Sequence, residues 1–493
     1  MKLFKAPIVS LALAASLAAA DSESTVLDEQ MRKVVGVFAA VQQEAADPID
    51  GTKVFYEGAI PGMLRKLDPH SVFFDPGQFE QLKQMERSEQ KGFGSVVSLL
   101  PGRVIVLQTL PGTPSAKSGM TPGDEILAIN GIVLNRLEIE QLIQLLSESR
   151  QQKVDLQIRR PGVSRLLHFV MVPENMEQPS VDRAFVLPGN IGFVRVASFD
   201  EKTGGLLKDA IERIGGSKLK GLVLDLRNNP GGVVGAALET ASLFLKPKQR
   251  VLSVKGRAVK GEEVDVPDSA TPYTFPAAVL MNGKSASASE IVAGALQDHD
   301  RATIVGEPSF GKGLVQSVFP LSNGTGLALT TAFYYTPSGR SIQKHLSGQL
   351  DVATTKMASD AAKQYKTDSG RMVTGGGGIK PDLLVYPENM TRLRAFLDAS
   401  GAFPSFATDY LQRHPRIPEN FEVTPDLLDE FKVSLSQRNV QPGVGEWTSE
   451  RPWISYRLQQ EILNQGLGVA KGDEIEMRFD PVVRTAVEAI TAK

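Results

Sequence analysis

Apolar and polar positions follow four successive patterns along the chain. Residues 26–88 have a helical pattern. Apolar residues recur every three or four positions over 26–41, and a second helix is predicted over 52–66. The next stretch, 90–174, mixes alternating strand patterns with one amphipathic helix. Short apolar runs then alternate with helical segments over 180–385, a pattern typical of parallel strands buried on both faces. Helical periodicity returns after residue 386.

Within the third pattern, five apolar runs and two helical segments stand out. The predicted strands are 192–197, 221–226, 277–281, 302–305 and 327–335. The predicted helices are 206–214 and 288–296. Residues 346–378 are polar and end in four glycines, so we expect a mobile excursion or linker there. In the tail, Thr424 is a predicted helix N-cap, and 482–490 forms another helix.

The first twenty residues have the pattern of a secretory signal peptide. Lys2 and Lys5 precede the apolar run 8–17, and Ala18 to Ala20 supply the small side chains of a cleavage site. An uncleaved membrane anchor is the alternative, although the run is shorter than the roughly 20 residues that span a bilayer. The expected location is periplasmic or otherwise extracytoplasmic, with membrane association if the segment is retained.

Composition narrows the classes of function. The chain has 493 residues, with 54 basic against 56 acidic side chains, so its charge gives no basis for binding nucleic acid. It has no cysteine, and none of its five histidines lies in a setting that suggests a catalytic base. No cofactor and no metal are expected.

A serine-rich turn, 283–290, follows the predicted strand 277–281 and precedes a predicted helix. A serine at such a turn projects its hydroxyl at the mouth of the sheet, beside the free N–H groups of the helix N-terminus. These groups favour a tetrahedral oxyanion, with the N–H of Ala288 as one donor and the Gly231-Gly232 turn as the second. A closely packed helix with small side chains is the alternative explanation of the turn.

Lys312, between Gly311 and Gly313, is the candidate base. A free lysine has a pKa of about 10.4, whereas general-base work favours about 7–8, so the amine must be desolvated. Gln316 is expected to orient the amine. The apolar residues expected to bury it are Phe310, Leu314, Val315 and Phe319.

A phosphate-binding P-loop is the alternative for the same segment. Residues 306–312 fit the first seven positions of that motif. Gly313, however, stands where Ser or Thr would hold magnesium, and the residues that follow have a strand pattern instead of the required helix. The nucleotide interpretation is therefore disfavoured.

Residues 90–174 combine a glycine-rich loop ahead of a strand with the segments 111–116 and 122–131. On these motifs the module resembles a PDZ domain of the bacterial secreted-protease type. PDZ domains add a peptide strand to a sheet edge and hold its carboxylate with backbone N–H groups. The expected peptide-binding residues are those of the loop, Gly92, Phe93, Gly94 and Ser95.

Residues 180–385 contain a series of ordered motifs, at 225–232, 285–291, 305–307, 310–316, 335–343 and 378–382. On these motifs the segment resembles the carboxy-terminal processing proteases, also called tail-specific proteases. The resemblance implies a crotonase-like α/β peptidase core, with Ser287 as nucleophile, Lys312 as base and Gln316 as its partner. Ser285 and Ser289 are the competing nucleophiles.

These patterns together predict a multidomain α/β protein in five parts. The parts are a signal peptide (1–20), a helical N-terminal region (21–89), an inserted PDZ domain (90–174), a Ser/Lys peptidase domain (175–385) and a mainly helical C-terminal domain (386–493). The predicted function is that of an exported serine endopeptidase that cuts proteins near their C-termini, with the PDZ domain binding the tails and gating activity. A homo-oligomer and an adaptor protein stay open as partners, and a non-catalytic tail-binding scaffold is the rival function.

Overall fold

The computed structural model describes residues 8–86, 89–100, 102–257, 261–344 and 363–492. These residues fall into two compact units. The first comprises the chain up to Pro76 together with Val318–Leu329, and the second comprises Gly77–Ser317 together with the chain from Thr330 onward.

The first unit is mainly helical. Helix α1 spans Ile8–Glu44 and continues without a break past the expected cleavage site, while residues 1–7 of the predicted signal peptide lie outside the described residues. A second helical stretch comprises α2 (Gly51–Lys53), a π-helical turn (Val54–Ala59) and α3 (Ile60–Leu64), which confirms the helix predicted there. Within the described part of the chain, no helix is both long and apolar enough to cross a membrane.

The first unit also contains strand β1, Val72–Phe74. It pairs antiparallel with a later segment, with Val72 opposite Ala328. Just before β1, the Asp68 carboxylate accepts hydrogen bonds from the N–H groups of His70 and Ser71, which ends the preceding helical stretch in a tight turn.

The second unit begins at Gly77, the second residue of α4 (Pro76–Glu86), and continues with a module of strands. In its main sheet, neighbouring strands follow the order β3-β4-β5-β7-β8, and β6 also pairs with β5. Strands β2 and β9 form a separate two-stranded sheet. The strands are β2 (Glu89–Gly92), β3 (Ser95–Leu100), β4 (Arg103–Thr109), β5 (Glu125–Ile129), β6 (Ile132–Val133), β7 (Val154–Arg159), β8 (Leu167–Met171) and β9 (Glu174–Glu177). Helices α5 (Pro114–Lys117) and α6 (Ile139–Ser149) complete the module, and Leu142 of α6 is buried in its core.

A six-stranded sheet, β10-β11-β12-β15-β16-β21, forms the centre of the second unit. It is parallel from β11 onward, and only β10 runs antiparallel to its neighbour. Its strands are β10 (Val181–Leu187), β11 (Ile191–Val196), β12 (Gly221–Asp225), β15 (Ala277–Met281), β16 (Ala302–Gly306) and β21 (Leu383–Leu384). Both β12 and β15 are buried along their whole length, which confirms the parallel strands predicted from the apolar runs.

Helices cover both faces of this sheet. One face packs against α7 (Thr203–Arg213), α8 (Val234–Ser242) and α9 (Ala288–Asp298). The other face packs against the last helix of the chain, whose Val483, Ala486 and Ile490 are buried against Val223 and Ala278 of the sheet. The C-terminal residues therefore complete the core of the central sheet.

Further strands pair with one another outside the central sheet. They are β13 (Arg250–Lys255), β14 (Glu262–Asp265), β17 (Leu314–Pro320) and β18 (Gly326–Tyr335). Strand β18 pairs with β13 and β17, in addition to its pairing with β1 described above, and β13 pairs with β14. The strand β17 follows the candidate lysine loop directly. This order excludes the helix that a P-loop requires after its lysine.

The polar stretch expected to be a linker contains a hairpin instead. Residues 345–362 lie outside the described residues, but β19 (Gln364–Lys366) and β20 (Met372–Thr374) pair antiparallel. The side chain of Arg371 donates a hydrogen bond to Asp300, and Asp368 lies 2.7 Å from His299 Nδ1. The expectation of a mobile excursion is therefore wrong for 363–378, because these contacts hold the hairpin to the end of α9.

The described part of the tail, residues 386–492, contains six helices. They are α10 (Arg392–Ala399), α11 (Ala402–Arg413), α12 (Pro425–Gln437), α13 (Val444–Gly466), α14 (Val469–Phe479) and α15 (Pro481–Thr491). The Thr424 side chain accepts a hydrogen bond from the Leu427 N–H, which confirms the predicted N-cap. The tail also contacts the β3–β8 module, because Arg103 donates to the Ser405 hydroxyl and Gln108 accepts from the Val469 N–H.

Candidate active site

The serine-rich turn forms the connection between β15 and α9. Ser287 is the N-cap of α9 and has φ 54° and ψ −114°, a backbone conformation that a residue with a side chain rarely adopts. Its N–H donates to Glu290 Oε2 at 2.9 Å, and its carbonyl accepts from the N–H groups of Glu290 and Ile291. Hydrogen bonds on both sides of the residue thus hold the strained turn.

The three serines of the turn differ in access to solvent. Ser285 and Ser289 are completely buried, and their hydroxyls donate to backbone carbonyls, that of Leu226 at 2.8 Å and that of Asn229 at 3.1 Å. Ser287 is partly exposed. Of the three candidate nucleophiles, Ser287 is therefore the one that is partly exposed to solvent.

The Gly231-Gly232 turn lies directly against Ser287. A Cβ atom on Gly231 would lie 2.8 Å from Ser287 Cβ and 2.9 Å from the Ala288 nitrogen, and one on Gly232 would lie 1.9 Å from the Phe199 oxygen. Both glycines have positive φ, 98° and 142°. The site therefore requires glycine at both positions, for backbone conformation and for close approach.

Asn229 holds the Gly231-Gly232 turn in place through several hydrogen bonds. The Gly231 N–H donates to Asn229 Oδ1 at 2.8 Å, so it is engaged inside the turn. Asn229 in turn donates its side-chain N–H to the Val196 carbonyl, and its own carbonyl accepts from the Ala286 N–H. Asn229 thus ties the glycine turn both to the sheet and to the serine-rich turn.

Lys312 lies in a loop between β16 and β17. Its amine donates to Gln316 Oε1 at 2.5 Å, as expected from the sequence. The loop backbone is tightly packed, since a Cβ atom on Gly311 would lie 2.7 Å from Lys344 Cβ. The four residues expected to bury the amine behave differently from one another, because Leu314 is buried whereas Phe310 and Phe319 expose 47% and 41% of their surface. Lys312 itself is partly exposed, and of the two phenylalanines expected near it neither is buried.

Two side chains that the sequence did not single out connect the serine turn to the lysine loop. The Glu290 carboxylate is fully buried, and its Oε2 accepts from the N–H groups of both Ser287 and Lys312, each at 2.9 Å. Its Oε1 accepts from the Gly311 N–H at 2.8 Å and from the Ser309 hydroxyl at 2.5 Å. Burial raises the pKa of Glu290, while these four donors act in the opposite direction.

Tyr334 is the second connecting side chain. Its buried hydroxyl lies 2.8 Å from the Lys312 carbonyl oxygen and 3.2 Å from that of Ser287.

Of these two connecting side chains, only Glu290 has a signal in the local sequence, the spacing Ser-x-x-Glu that is typical of a capping box. Nothing in the local pattern around Tyr334 indicates its contacts with this site.

The predicted peptide-binding loop lies in the β3–β8 module, between β2 and β3. Gly94 has φ 75°, and a Cβ atom there would lie 2.2 Å from Thr113 Cβ. Strand β3, which follows the loop, is at the edge of its sheet path and pairs with β4 alone among the described strands. Phe93 and Ser95 line an apolar cavity of about 90 Å³, whose other walls include Met120, Ile126 and Leu146.

Comparison with known proteins agrees with this architecture. The model of peptidase family S41 matches residues 190–353, and that of the PDZ domain matches 105–160. The carboxy-terminal-processing protease of Bartonella bacilliformis is 38% identical over 322 residues, which cover 64% of this chain and 73% of that protein. The chain belongs to the carboxy-terminal processing proteases. It is accordingly a serine peptidase of family S41 that carries a PDZ domain.

Two further proteins are similar to this chain over a comparable share of its length. The carboxy-terminal processing protease CtpB of Bacillus subtilis is 30% identical over 331 residues, covering 66% of this chain and 68% of that protein. Among solved structures, the photosystem II D1 C-terminal processing protease is 27% identical, and the match covers 70% of this chain and 86% of that one with a TM-score of 0.40.

Proposed function

We propose that this carboxy-terminal processing protease is exported and cuts substrate proteins near their C-termini with a Ser287–Lys312 dyad. The observation that carries the proposal is the contrast among the three serines, because Ser287 is partly exposed while Ser285 and Ser289 are buried. The signal-like N-terminal segment supports export to a periplasmic or other extracytoplasmic location.

In the proposed reaction, the neutral Lys312 amine accepts the Ser287 hydroxyl proton while the oxygen attacks the scissile carbonyl. The protonated amine then gives that proton to the leaving amine, and water releases the acyl group in a second cycle. Gln316 accepts a hydrogen bond from the amine, which orients its lone pair. The reaction requires a neutral amine, and a bound substrate that excludes water from the site favours the neutral form.

The oxyanion of the tetrahedral intermediate is proposed to lie between the N-terminus of α9 and the glycine turn. The N–H of Ala288 is one donor, since it belongs to the first turn of the helix. Because Gly231 donates its N–H to Asn229, we assign the second donor to Gly232. Gly231 then contributes by allowing the backbone to lie against Ser287.

The PDZ domain is proposed to bind the substrate tail and to gate the peptidase. The open edge of β3 can accept a peptide strand, and the loop Gly92 to Ser95 offers backbone N–H groups for the terminal carboxylate. The apolar cavity beside Phe93 suits an aliphatic last side chain. The partners proposed on this basis are protein or peptide C-terminal tails.

The proposal is tested by digestion of an unstructured peptide with an apolar C-terminal residue, followed by mass spectrometry. Ser287→Ala and Lys312→Ala are expected to remove turnover, whereas Lys284→Ala, an exposed lysine of the same turn, keeps it. Products shortened from the C-terminus support the enzyme. Turnover retained in either dyad variant refutes the assignment, and tail binding without any cleavage by the wild type supports the scaffold instead.

A further inference from the structure

We propose that Glu290 and Tyr334 are positioning residues that hold Ser287 and Lys312 at a fixed separation. The inference rests on the proposed dyad. Ser287 ends a turn at the start of α9, whereas Lys312 lies in the loop before β17, so no single element positions both. Any fixed geometry between them depends on contacts that join the two segments.

Glu290 supplies the first of these contacts. A single oxygen, Oε2, accepts from the N–H groups of Ser287 and Lys312 at equal distances of 2.9 Å. The other oxygen accepts from Ser309 and Gly311, which belong to the lysine loop. A buried carboxylate is tolerated only when its oxygens are hydrogen-bonded, and here all four donors come from the two segments that carry the dyad.

Tyr334 makes the complementary contacts. Its hydroxyl lies against the carbonyl oxygens of the same two residues, at 2.8 Å from Lys312 and 3.2 Å from Ser287. The ring is buried in the main core, and the Tyr334 N–H donates to the Gly313 carbonyl, so β18 holds the hydroxyl in place. The N–H groups of both dyad residues thus meet one carboxylate, and their carbonyls meet one hydroxyl.

Helix capping alone does not account for Glu290. A capping box requires the contact between the Glu290 carboxylate and the Ser287 N–H, which is one of its four hydrogen bonds. The remaining three bind the lysine loop. Both oxygens are occupied and the side chain is fully buried, so Glu290 does not touch substrate and acts through the residues it holds.

Fixed separation matters because proton transfer within a dyad depends steeply on distance and angle. A displacement of about 1 Å can lower a rate by roughly 100-fold. Removing the Tyr334 hydroxyl frees one side of both backbones and leaves the ring in the core. The chemical step then slows, whereas the PDZ domain still binds the tail, so kcat falls and KM changes little.

The experiment measures kcat and KM for an unstructured tail peptide with Tyr334→Phe and Glu290→Gln, together with thermal unfolding. Matched controls are Tyr386→Phe, which alters an exposed tyrosine, and Glu461→Gln, which alters a buried glutamate of α13. We expect Tyr334→Phe to lower kcat by roughly 10- to 100-fold with KM within about 2-fold, and Glu290→Gln to lower kcat at least as much. Both controls keep the wild-type kcat.

Ser287→Ala and Lys312→Ala are measured in the same assay, which separates this inference from the proposed function. If both abolish turnover while Tyr334→Phe keeps kcat within about 3-fold or changes KM alone, the positioning role is wrong and the dyad stands. If either dyad variant retains turnover, the dyad is wrong and the inference falls with it. Should Glu290→Gln fail to fold, the Tyr334→Phe result decides.

Discussion

Gly231 lies against Ser287 so closely that the site has no room for a side chain between them. A Cβ atom on Gly231 would come within 2.8 Å of Ser287 Cβ and 2.7 Å of the Ala286 carbonyl oxygen. Its φ of 98° is a further obstacle to any other residue. The glycine turn and the serine turn thus form one packed unit, although they are far apart in the sequence.

This contact predicts that Gly231→Ala inactivates the enzyme. The added methyl group must push the two turns apart, so kcat is expected to fall by roughly 100-fold or more in a peptide-cleavage assay. Gly235→Ala is the matched control, because that glycine is exposed in α8 and its Cβ would meet its nearest neighbour only at 4.0 Å. Full activity in Gly231→Ala would contradict the proposed site.

A substitution in the loop Gly92 to Ser95, which is proposed to hold the peptide carboxylate, should weaken peptide binding without altering the cleavage step. In Gly94→Ala the new Cβ would lie 2.2 Å from Thr113 Cβ, which distorts the loop. We expect the Kd for a fluorescent tail peptide to rise about 10-fold or more. Gly112→Ala has a nearly equal φ, 78° against 75°, but meets nothing within 4 Å, so it controls for backbone strain. Equal affinities of the two variants would disprove the loop assignment.

Because the last helix, α15, packs on the central sheet, we expect the tail to be needed for the stability of the peptidase core. Ile490 is 4% exposed and packs on the central sheet, so Ile490→Ala is expected to lower the free energy of unfolding by about 2–5 kcal/mol. Val444→Ala, at a side chain 80% exposed, should change it by less than about 0.5 kcal/mol. Urea denaturation measures the free energy of unfolding of both variants. A small change in Ile490→Ala would mean that α15 is not part of the core.

Because the pKa of Asp473, in α14, is raised, we expect the free energy of unfolding to depend on pH. Burial is the main reason that its pKa is raised from 3.8 to about 6, while Arg183, at 3.0 Å, acts in the opposite direction. Because the folded state holds this proton more tightly than the unfolded state, the stabilisation is complete below pH 3.8 and is lost as pH rises through 6.

Asp473→Asn is therefore expected to remove part of the decline in stability between pH 4 and pH 7. A shift of about two pKa units corresponds to roughly 3 kcal/mol, seen as the difference between wild type and variant over that range. Asp429→Asn, an exposed position of α12, serves as control and should follow the wild-type curve. Parallel curves for wild type and Asp473→Asn would show that this carboxyl does not titrate as assigned.

Local patterns were enough to locate the elements that carry the site. The apolar runs of β12 and β15 predicted buried strands because a parallel strand covered on both faces has no polar side to interrupt it. The turn that follows β15 was recognisable from its small residues and its place before a helix. Thr424 was likewise predictable, because its capping contact reaches only three residues along the chain.

Contacts between distant residues were not predictable in this way. Local sequence offered three serines and no means to rank them by access, since Ser285 and Ser289 are buried through hydrogen bonds to carbonyls roughly 60 residues earlier in the chain. Tyr334 reaches Ser287 and Lys312 only because β18 packs beside both turns. Periodicity and spacing report which face of an element is buried, whereas the partner across that face is decided by the tertiary fold. The chain alone therefore indicated the kind of chemistry, and folding decided which of the three serines is exposed and which side chains join its turn to the lysine loop.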